Sequence, residues 1–298
     1  MGNRVPTPIF FSALPRSFFC ELFLVLMLPS FRLRALAVPL AFLLAFAVAG
    51  CGGGGDDGTV QIQKGDRSPA IEGANALITD PSDNAVLDSP NVEVVVDADN
   101  FETGAQTSTD RAKEIANSAN GQHFHLILDN GPYMANYEAG APFDIGELEP
   151  GPHTLVAFPS RSYHESVKSD TSYDYINFYV GEESGEFMLN ADDPAIIYSR
   201  PKGTYSGAGA EKIMLDFYLH NVELSSDGYK AKYTIRSGGS EVASITLTEW
   251  TPAFVTGLSS GTYEVNLQLV DGDGNVVSGP FNDTTREITV ETGGGSAE

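Results

Sequence analysis

Two histidines separated by one residue lie in residues 121–128, which read GQHFHLIL. Apolar Phe124 and Leu126 alternate with them, and this period of two predicts a β-strand whose successive side chains point to opposite faces. His123 and His125 would then share the face opposite the apolar core, and we expect that face to be exposed to solvent. Imidazoles at positions i and i+2 of a strand lie side by side, a spacing that suits two ligands of one metal ion.

His164 is the candidate for a third ligand, because it lies in a polar segment, RSYHES, that spans residues 161–166. Within the predicted site the three histidines would hold a divalent metal ion. The alternative is a solvated polar face with a hydrogen-bonded loop histidine. The residues that we expect to bind a ligand are His123, His125, Tyr133, Arg161 and His164.

The sequence contains none of the motifs that mark common catalytic sites. It has no Gly-x-Ser-x-Gly nucleophile elbow, no P-loop and no dinucleotide-binding fingerprint. Ser160, Ser162 and His164 are close in sequence, but a catalytic triad is a spatial arrangement, and closeness along the chain does not indicate one. We expect no enzymatic activity, no catalytic residue and no cofactor other than the metal ion considered above.

The chain is strongly acidic. Its 298 residues include 17 Lys+Arg against 40 Asp+Glu, and the formal net charge is −23. Binding to nucleic acid needs clustered Lys and Arg to neutralise phosphates, so this balance argues against a nucleic-acid partner. The two cysteines supply neither an internal disulfide in the mature chain nor a Cys-type zinc site, so a packed core must stabilise the folded part.

A targeting segment precedes the folded part. Residues 35–49 form an apolar run, ALAVPLAFLLAFAVA, which follows two arginines and ends just before the Gly that precedes Cys51. This layout is typical of a signal peptide. Residues 48–51, VAGC, resemble the lipobox of bacterial lipoproteins. We interpret residues 1–50 as a lipoprotein signal peptide, with Met27 as an alternative translation start.

The lipobox resemblance implies diacylglycerol on the Cys51 thiol, cleavage before that residue and acylation, such as palmitoylation, of the new N-terminus. Two or more acyl chains anchor a protein stably where one does not. Gly52, in place of Asp, favours the outer membrane by resemblance to the enteric sorting rule. We expect an anchored protein that faces the periplasm or the cell surface, with the lipid bilayer as a partner.

The mature chain begins with residues 51–73, which are rich in Gly and Asp and poor in apolar residues, and which we predict to be a flexible tether. From Ala76 onward, β-rich runs alternate with Pro, Gly, Asn and Asp, a pattern typical of antiparallel sandwiches. One helix is predicted over residues 110–119 from the helical spacing of its apolar residues. The predicted strands are Val92–Val96, His123–Leu128, His153–Phe158, Tyr173–Val180, Lys212–His220, Tyr229–Arg236, Ser244–Thr248, Thr262–Val270 and Arg286–Val290.

An internal repeat indicates two domains of one fold. Residues 121–129, GQHFHLILD, align with residues 228–236, GYKAKYTIR. Residues 148–155, LEPGPHTL, align with residues 258–265, LSSGTYEV, at a similar distance along the chain. The second half therefore looks like a duplicate of the first, with a Lys-x-Lys pair in place of the His-x-His pair.

The stretch that ends at Tyr263 resembles the tyrosine corner of immunoglobulin-like and fibronectin-like sandwiches, in which the phenol hydroxyl binds a backbone carbonyl upstream. In the first half His153 takes the corner position, and we expect it to bind backbone rather than metal. With the repeat, this resemblance predicts an all-β chain of two tandem immunoglobulin/fibronectin-like β-sandwiches, residues 74–183 with the short helix and residues 190–293.

Residues 121–133, 151–168 and 221–229 together resemble an uncharacterised family of bacterial envelope lipoproteins with tandem immunoglobulin-like domains. Some members of that family carry the description "phosphopeptide-binding". The residues here do not support it, because phosphate capture favours an Arg cluster or a helix N-terminus, and only Arg161 and Lys168 are basic in these loops.

Two functions are compatible with these observations. A non-enzymatic binding or scaffolding module is favoured, since loops on a rigid sandwich bind ligands and no set of acid, base and nucleophile is present. Its ligand would be a peptide, a glycan or a protein. The alternative is an envelope protein that binds copper or zinc through the histidines of the first sandwich.

Replacing Cys51 with Ser tests the lipid anchor. We expect Cys51→Ser to move the protein from the membrane fraction to the soluble fraction, because the serine hydroxyl does not accept the lipid. Immunoblotting of fractionated cells measures the change, and incorporation of labelled palmitate is a second readout. A variant that stays in the membrane fraction like the wild type would show that lipidation at this residue is wrong.

Overall fold

The computed structural model describes residues 59–293. Within this range the regular structure comprises seventeen β-strands and two four-residue helices, and the strands form four sheets. None of the helices in this range is long and apolar enough to cross a membrane. The predicted signal peptide, Cys51 and the first residues of the predicted tether lie outside the described residues.

The first sandwich is formed by eight strands and one helix, and one further strand precedes it. In chain order these elements are β1 Gln61–Lys64, β2 Asn75–Asp80, β3 Ala85–Leu87, β4 Asn91–Asp99, α1 Arg111–Glu114, β5 His123–Leu128, β6 Met134–Asn136, β7 Pro142–Glu147, β8 Gly151–Ser160 and β9 Asp174–Val180. A three-stranded sheet with the order β2-β4-β7 faces a five-stranded sheet with the order β3-β9-β8-β5-β6.

The second sandwich has the same plan. Its elements are β10 Ala195–Arg200, β11 Gly203–Ser206, α2 Ala208–Glu211, β12 Lys212–His220, β13 Lys230–Ser237, β14 Ser240–Leu247, β15 Ala253–Thr256, β16 Gly261–Val270 and β17 Asp283–Glu291. Strand β1 joins this half, so that its sheets have the orders β1-β15-β12-β10 and β11-β17-β16-β13-β14.

The two five-stranded sheets have equivalent strand orders, and each has one parallel edge pair, β3 with β9 and β11 with β17. The inward side chains also correspond. Phe124 and Leu126 are buried in the first core, and Ala231, Tyr233 and Ile235 are buried in the second, as the sequence pattern predicts. The predicted fold class, an all-β chain of two tandem immunoglobulin/fibronectin-like β-sandwiches, is confirmed.

Both corners form as predicted. The Tyr263 hydroxyl donates to the carbonyl oxygen of Ser259 at 3.0 Å. In the first half His153 Nε2 lies 2.8 Å from the carbonyl oxygen of Glu149, which is also four residues upstream. The other ring nitrogen of His153 lies 2.6 Å from the Asp129 carboxylate. His153 therefore has a structural role in place of the corner tyrosine.

The outward face of the first five-stranded sheet is buried, contrary to the expectation from the sequence. It packs against β10 and β12 of the second sandwich, and Val156 and Phe158 belong to one apolar cluster with the second core. The Phe158 and Tyr218 rings stack with centroids 4.7 Å apart. His123 and His125 lie in this interface and are 0% exposed. The pattern identified their face correctly, but a pattern does not show what covers a face.

Part of the predicted tether is an ordered strand. Strand β1 pairs antiparallel with β15 along its whole length. Further along the chain, the backbone N–H of Ser68 donates to the Glu165 carboxylate of the first sandwich at 2.8 Å. The prediction of a flexible tether is therefore wrong for these residues. It gave weight to Gly and Asp and overlooked the alternation of residues 60–63, VQIQ, which is a strand pattern.

The predicted helix over residues 110–119 is limited to α1. Its chain becomes extended at Ile115, where φ is −133° and ψ is 170°. The Ile115 side chain is buried beside Tyr163, Met214 and Phe254. A helix of ten residues is only marginally stable by itself, so tertiary packing of Ile115 against the second sandwich decides the conformation.

A buried ion pair links the two sandwiches. The Lys168 ammonium, in the loop after β8, donates to the Asp216 carboxylate on β12, and the two side chains are 2% and 0% exposed. The backbone N–H of Ser166 donates to the same carboxylate at 3.1 Å. Because both charges are removed from water, each needs the other as a counter-charge to offset its lost hydration.

Removing the charge of Asp216 should destabilise the protein. We expect Asp216→Asn to lower the free energy of unfolding by about 3–5 kcal/mol, because it leaves the Lys168 ammonium buried without a counter-charge. Urea denaturation followed by circular dichroism measures the change. The control is Glu249→Gln, which breaks the exposed pair with Lys64 and should cost less than about 1 kcal/mol. Equal effects of the two substitutions would contradict the prediction.

Candidate metal centre

Two elements of the first sandwich position the three histidines. His123 and His125 lie on β5, which is hydrogen-bonded on both sides by β6 and β8 and is therefore held rigidly. His164 lies in a tight turn after β8, where its N–H donates to the carbonyl oxygen of Arg161 at 2.7 Å. Its φ of 67° is in the left-handed region, which non-glycine residues rarely occupy. Such a backbone strain is frequent at functional sites.

The three imidazoles converge on one point. His123 Nε2 lies 3.1 Å from His125 Nε2 and 3.2 Å from His164 Nδ1. All three candidate ligand atoms lie within 4.8 Å of one another. For metal–nitrogen bonds of about 2.0–2.1 Å in a tetrahedral arrangement, neighbouring nitrogens are about 3.3 Å apart. The two short separations are hydrogen-bond distances, and they also match the spacing of neighbouring ligands on one ion.

Hydrogen bonds on the far side of the His123 and His125 rings leave their Nε2 atoms directed at the cluster. His123 Nδ1 lies 2.9 Å from the carbonyl oxygen of Gly121, and because a carbonyl only accepts, this nitrogen carries the proton. His125 Nδ1 lies 3.0 Å from the Ser199 hydroxyl. His123 Nε2 then presents its lone pair to the other two rings. Such hydrogen bonds on the second ring nitrogen are the usual way in which a protein orients metal-binding histidines.

The histidines are uncharged at neutral pH. Burial lowers the pKa of His123 to about 4. Burial also holds the pKa of His125 and of His164 well below the ordinary value, and the positive charge of Arg200 adds to the effect in each case. Neutral imidazole is the form that binds metal ions, so the cluster is ready to act as a ligand set without releasing protons.

Tyr133 covers one side of the cluster. Its ring stacks on His125 with centroids 3.7 Å apart and an interplanar angle of 10°. Its hydroxyl lies 3.4 Å from His164 Nδ1 and accepts a hydrogen bond from Arg200 Nη1 at 2.7 Å. The Lys202 ammonium donates to the Tyr133 carbonyl oxygen at 2.6 Å. Two cations therefore contact Tyr133, Arg200 at its hydroxyl and Lys202 at its carbonyl oxygen.

The structure brings together four of the five residues that the sequence predicts for the site. Arg161 has a different role, because its guanidinium donates to the carbonyl oxygens of Pro69 and Ser166. It is 3% exposed, and its hydrogen bond to Pro69 links the segment before β2 to the first sandwich. The cation that contacts the site is Arg200 instead.

Sequence reasoning missed the contribution of the second sandwich. Ser199, Arg200 and Lys202 are at the end of β10 and just after it, far from the histidines in sequence. The only signal was compositional, since two basic residues stand close together in a strongly acidic chain. Their position beside the histidines depends on how the sandwiches dock, which no spacing within one half reveals.

No protein-family model and no curated protein sequence matches this chain. Similar solved structures include the fibronectin(III)-like modules of Clostridium thermocellum CbhA, at 13% identity over 73% of this chain and 94% of that chain, with a TM-score of 0.24. A two-domain fibronectin type-III segment of chicken tenascin is 12% identical over 72% and 98%, with a TM-score of 0.22. Bacteroides ovatus SGBP-B, in complex with a mixed-linkage heptasaccharide, is 13% identical over 72% and 47%, with a TM-score of 0.20. At these TM-scores the likeness carries no information on function.

The metal-free protein should lose stability as the pH falls. The pKa of His123 is about 4 in the folded protein and near 6.5 in an unfolded chain, so between these values the unfolded chain binds a proton that the folded protein excludes. We expect this group to lower the free energy of unfolding by about 3 kcal/mol between pH 7 and pH 4. Urea denaturation in EDTA at a series of pH values measures the slope.

The variant His123→Gln removes this contribution, together with the effect of His123 on the pKa of His125 and of His164. Its free energy of unfolding should depend less steeply on pH below 6.5 than that of the wild type. Identical slopes for the two proteins would show that folding does not keep His123 unprotonated between pH 6.5 and pH 4.

Proposed function

We propose that the protein is a non-enzymatic, lipid-anchored envelope protein that binds one d-block metal ion through His123, His125 and His164. The observation that supports this best is the convergence of three imidazole nitrogens within 4.8 Å in a buried interface. Imidazole is a ligand of Zn, Cu, Fe and Ni ions. Of the two functions compatible with the sequence, the geometry of the site favours metal binding.

The burial of three imidazoles together supports this function. Buried polar groups need partners, and here the ring nitrogens of His123, His125 and His164 are partnered by one another. An apolar set of side chains would fill the same space without this need. A cation among the three nitrogens replaces these contacts with metal–ligand bonds, which gives the arrangement a physical reason.

The proposal of a binding protein rather than an enzyme rests on access to the site. His123 and His125 are 0% exposed, and His164 is the only member of the cluster with intermediate exposure. A catalytic metal needs an open position for substrate, whereas a structural or storage site is closed by the protein. The anchoring part of the proposal rests on the lipobox resemblance at Cys51.

Replacing His164 with Asn tests metal binding with little disturbance of the backbone. Asn tolerates the left-handed conformation that residue 164 adopts, so His164→Asn removes the ligand atom and retains the turn. We expect the untagged wild type to retain about one ion per chain after incubation with Zn²⁺ or Cu⁺ and desalting, measured by elemental analysis. The variant should bind at least about 100-fold more weakly.

The matched control is His220→Asn. His220 is also a buried histidine of the interface, but its nitrogens are occupied by the Tyr173 hydroxyl and the Asn190 carbonyl oxygen, away from the cluster. This variant should bind metal like the wild type. Absence of metal from the wild type, or equal binding by the wild type and His164→Asn, would refute the proposed function.

A further inference from the structure

Two positive charges lie beside Tyr133, the residue that contacts the candidate ligands His125 and His164. The Arg200 guanidinium is hydrogen-bonded to the Tyr133 hydroxyl and lies 5.9 Å from the Tyr133 ring centroid. The Lys202 ammonium lies 4.3 Å from the same centroid. The same ring stacks on His125 with centroids 3.7 Å apart. The Lys202 charge is therefore no more than about 8 Å from the centroid of a ligand ring, close enough to act on a bound ion.

These charges have little compensation nearby. Among the described residues, neither Arg200 nor Lys202 takes part in an ion pair with a carboxylate. Arg200 is 6% exposed, and its Nε has no hydrogen-bond partner. Asp216 is the carboxylate that affects Arg200, but it is already paired with Lys168. The candidate ligand set itself contributes no negative charge, because it contains histidines alone.

A bound ion is repelled in proportion to its own charge. For a unit charge about 8 Å away, at the effective dielectric constant of about 20 that describes sites in proteins, a divalent ion loses twice as much binding free energy as a monovalent one. Lys202 is half-buried, so solvent screens part of this repulsion. With this screening included, the Lys202 charge should lower the affinity about fivefold for a monovalent ion and about 30-fold for a divalent ion.

The number of ligand atoms also favours a monovalent ion over a divalent one. Zn²⁺ in protein sites is almost always four-coordinate, and with three histidines it takes a water or a substrate as fourth ligand. Here three nitrogens converge, and the Tyr133 ring covers one side of the cluster. A monovalent copper ion accepts three neutral donors and leaves the buried site with a single positive charge.

We propose that the cluster selects the monovalent ion Cu⁺ over divalent ions, and that Lys202 and Arg200 provide the selection by electrostatic repulsion. This inference rests on the metal-binding function proposed above. Lys202 is thus a specificity-determining residue that does not touch the ion. Arg200 acts in the same way, but it is buried in the interface, so Lys202 is the better residue to change.

Neutralising Lys202 tests the inference. We expect Lys202→Gln to raise the affinity for Zn²⁺ by about 30-fold and the affinity for Cu⁺ by about fivefold, so that the logarithmic change is twice as large for the divalent ion. Competition with chromogenic chelators measures both constants, under anaerobic conditions with a reductant for Cu⁺. Lys202→Arg, which keeps the charge, should leave both affinities unchanged, and near-UV circular dichroism checks the fold of each variant.

The matched surface control is Lys230→Gln, since Lys230 donates to the Gly272 carbonyl oxygen in the second sandwich, away from the cluster. It should alter neither affinity. If the wild type binds neither ion, the proposed function fails and the inference fails with it. If the wild type binds metal but Lys202→Gln changes the two affinities equally or not at all, the charge selection is wrong while metal binding stands.

Discussion

The molecule depends on the burial of two sheet faces that both carry polar groups. The outward face of the first five-stranded sheet meets β10 and β12 of the second sandwich, and apolar contacts such as that between Phe158 and Tyr218 remove the interface from water. Each polar group in it then needs a partner. The Tyr173 hydroxyl meets His220 at 2.6 Å, and His125 meets Ser199. These pairings are satisfied in one relative position of the sandwiches, so the site is buried and contacts Ser199 and Arg200 only in the docked arrangement.

Much of this could be predicted from the sequence, and the rest has an identifiable physical limit. The alternation in strand β5 predicts which residues enter the first core, and the same alternation places His123 and His125 together on the other face. Their burial, and the contribution of Arg200, depend on contacts between the halves. Periodicity reports the environment of a residue within one element, whereas docking depends on the shapes of two complete surfaces. The corner at His153 could be predicted because its geometry is local.

The duplicated fold shows why one copy alone carries the cluster. Lys230 and Lys232 occupy the positions that correspond to His123 and His125, and they are only half-buried. At the fully buried positions of the first sandwich, an ammonium would be desolvated at high cost. Neutral imidazoles avoid this cost. The two sandwiches therefore share a fold while packing decides which chemistry each face can support.

Strand β1 has a consequence for the order in which the protein folds. It is the first strand of the described chain, yet its partner β15 follows about 190 residues later. At synthesis rates of about 5–20 residues per second, β1 waits on the order of 10–40 s before its partner exists. Until then β1 has no strand to pair with, and an unpaired strand edge is a template for pairing with another chain. The pairing of β1 with β15 is a late, long-range step, and β1 is open to association with other chains in the interval before it.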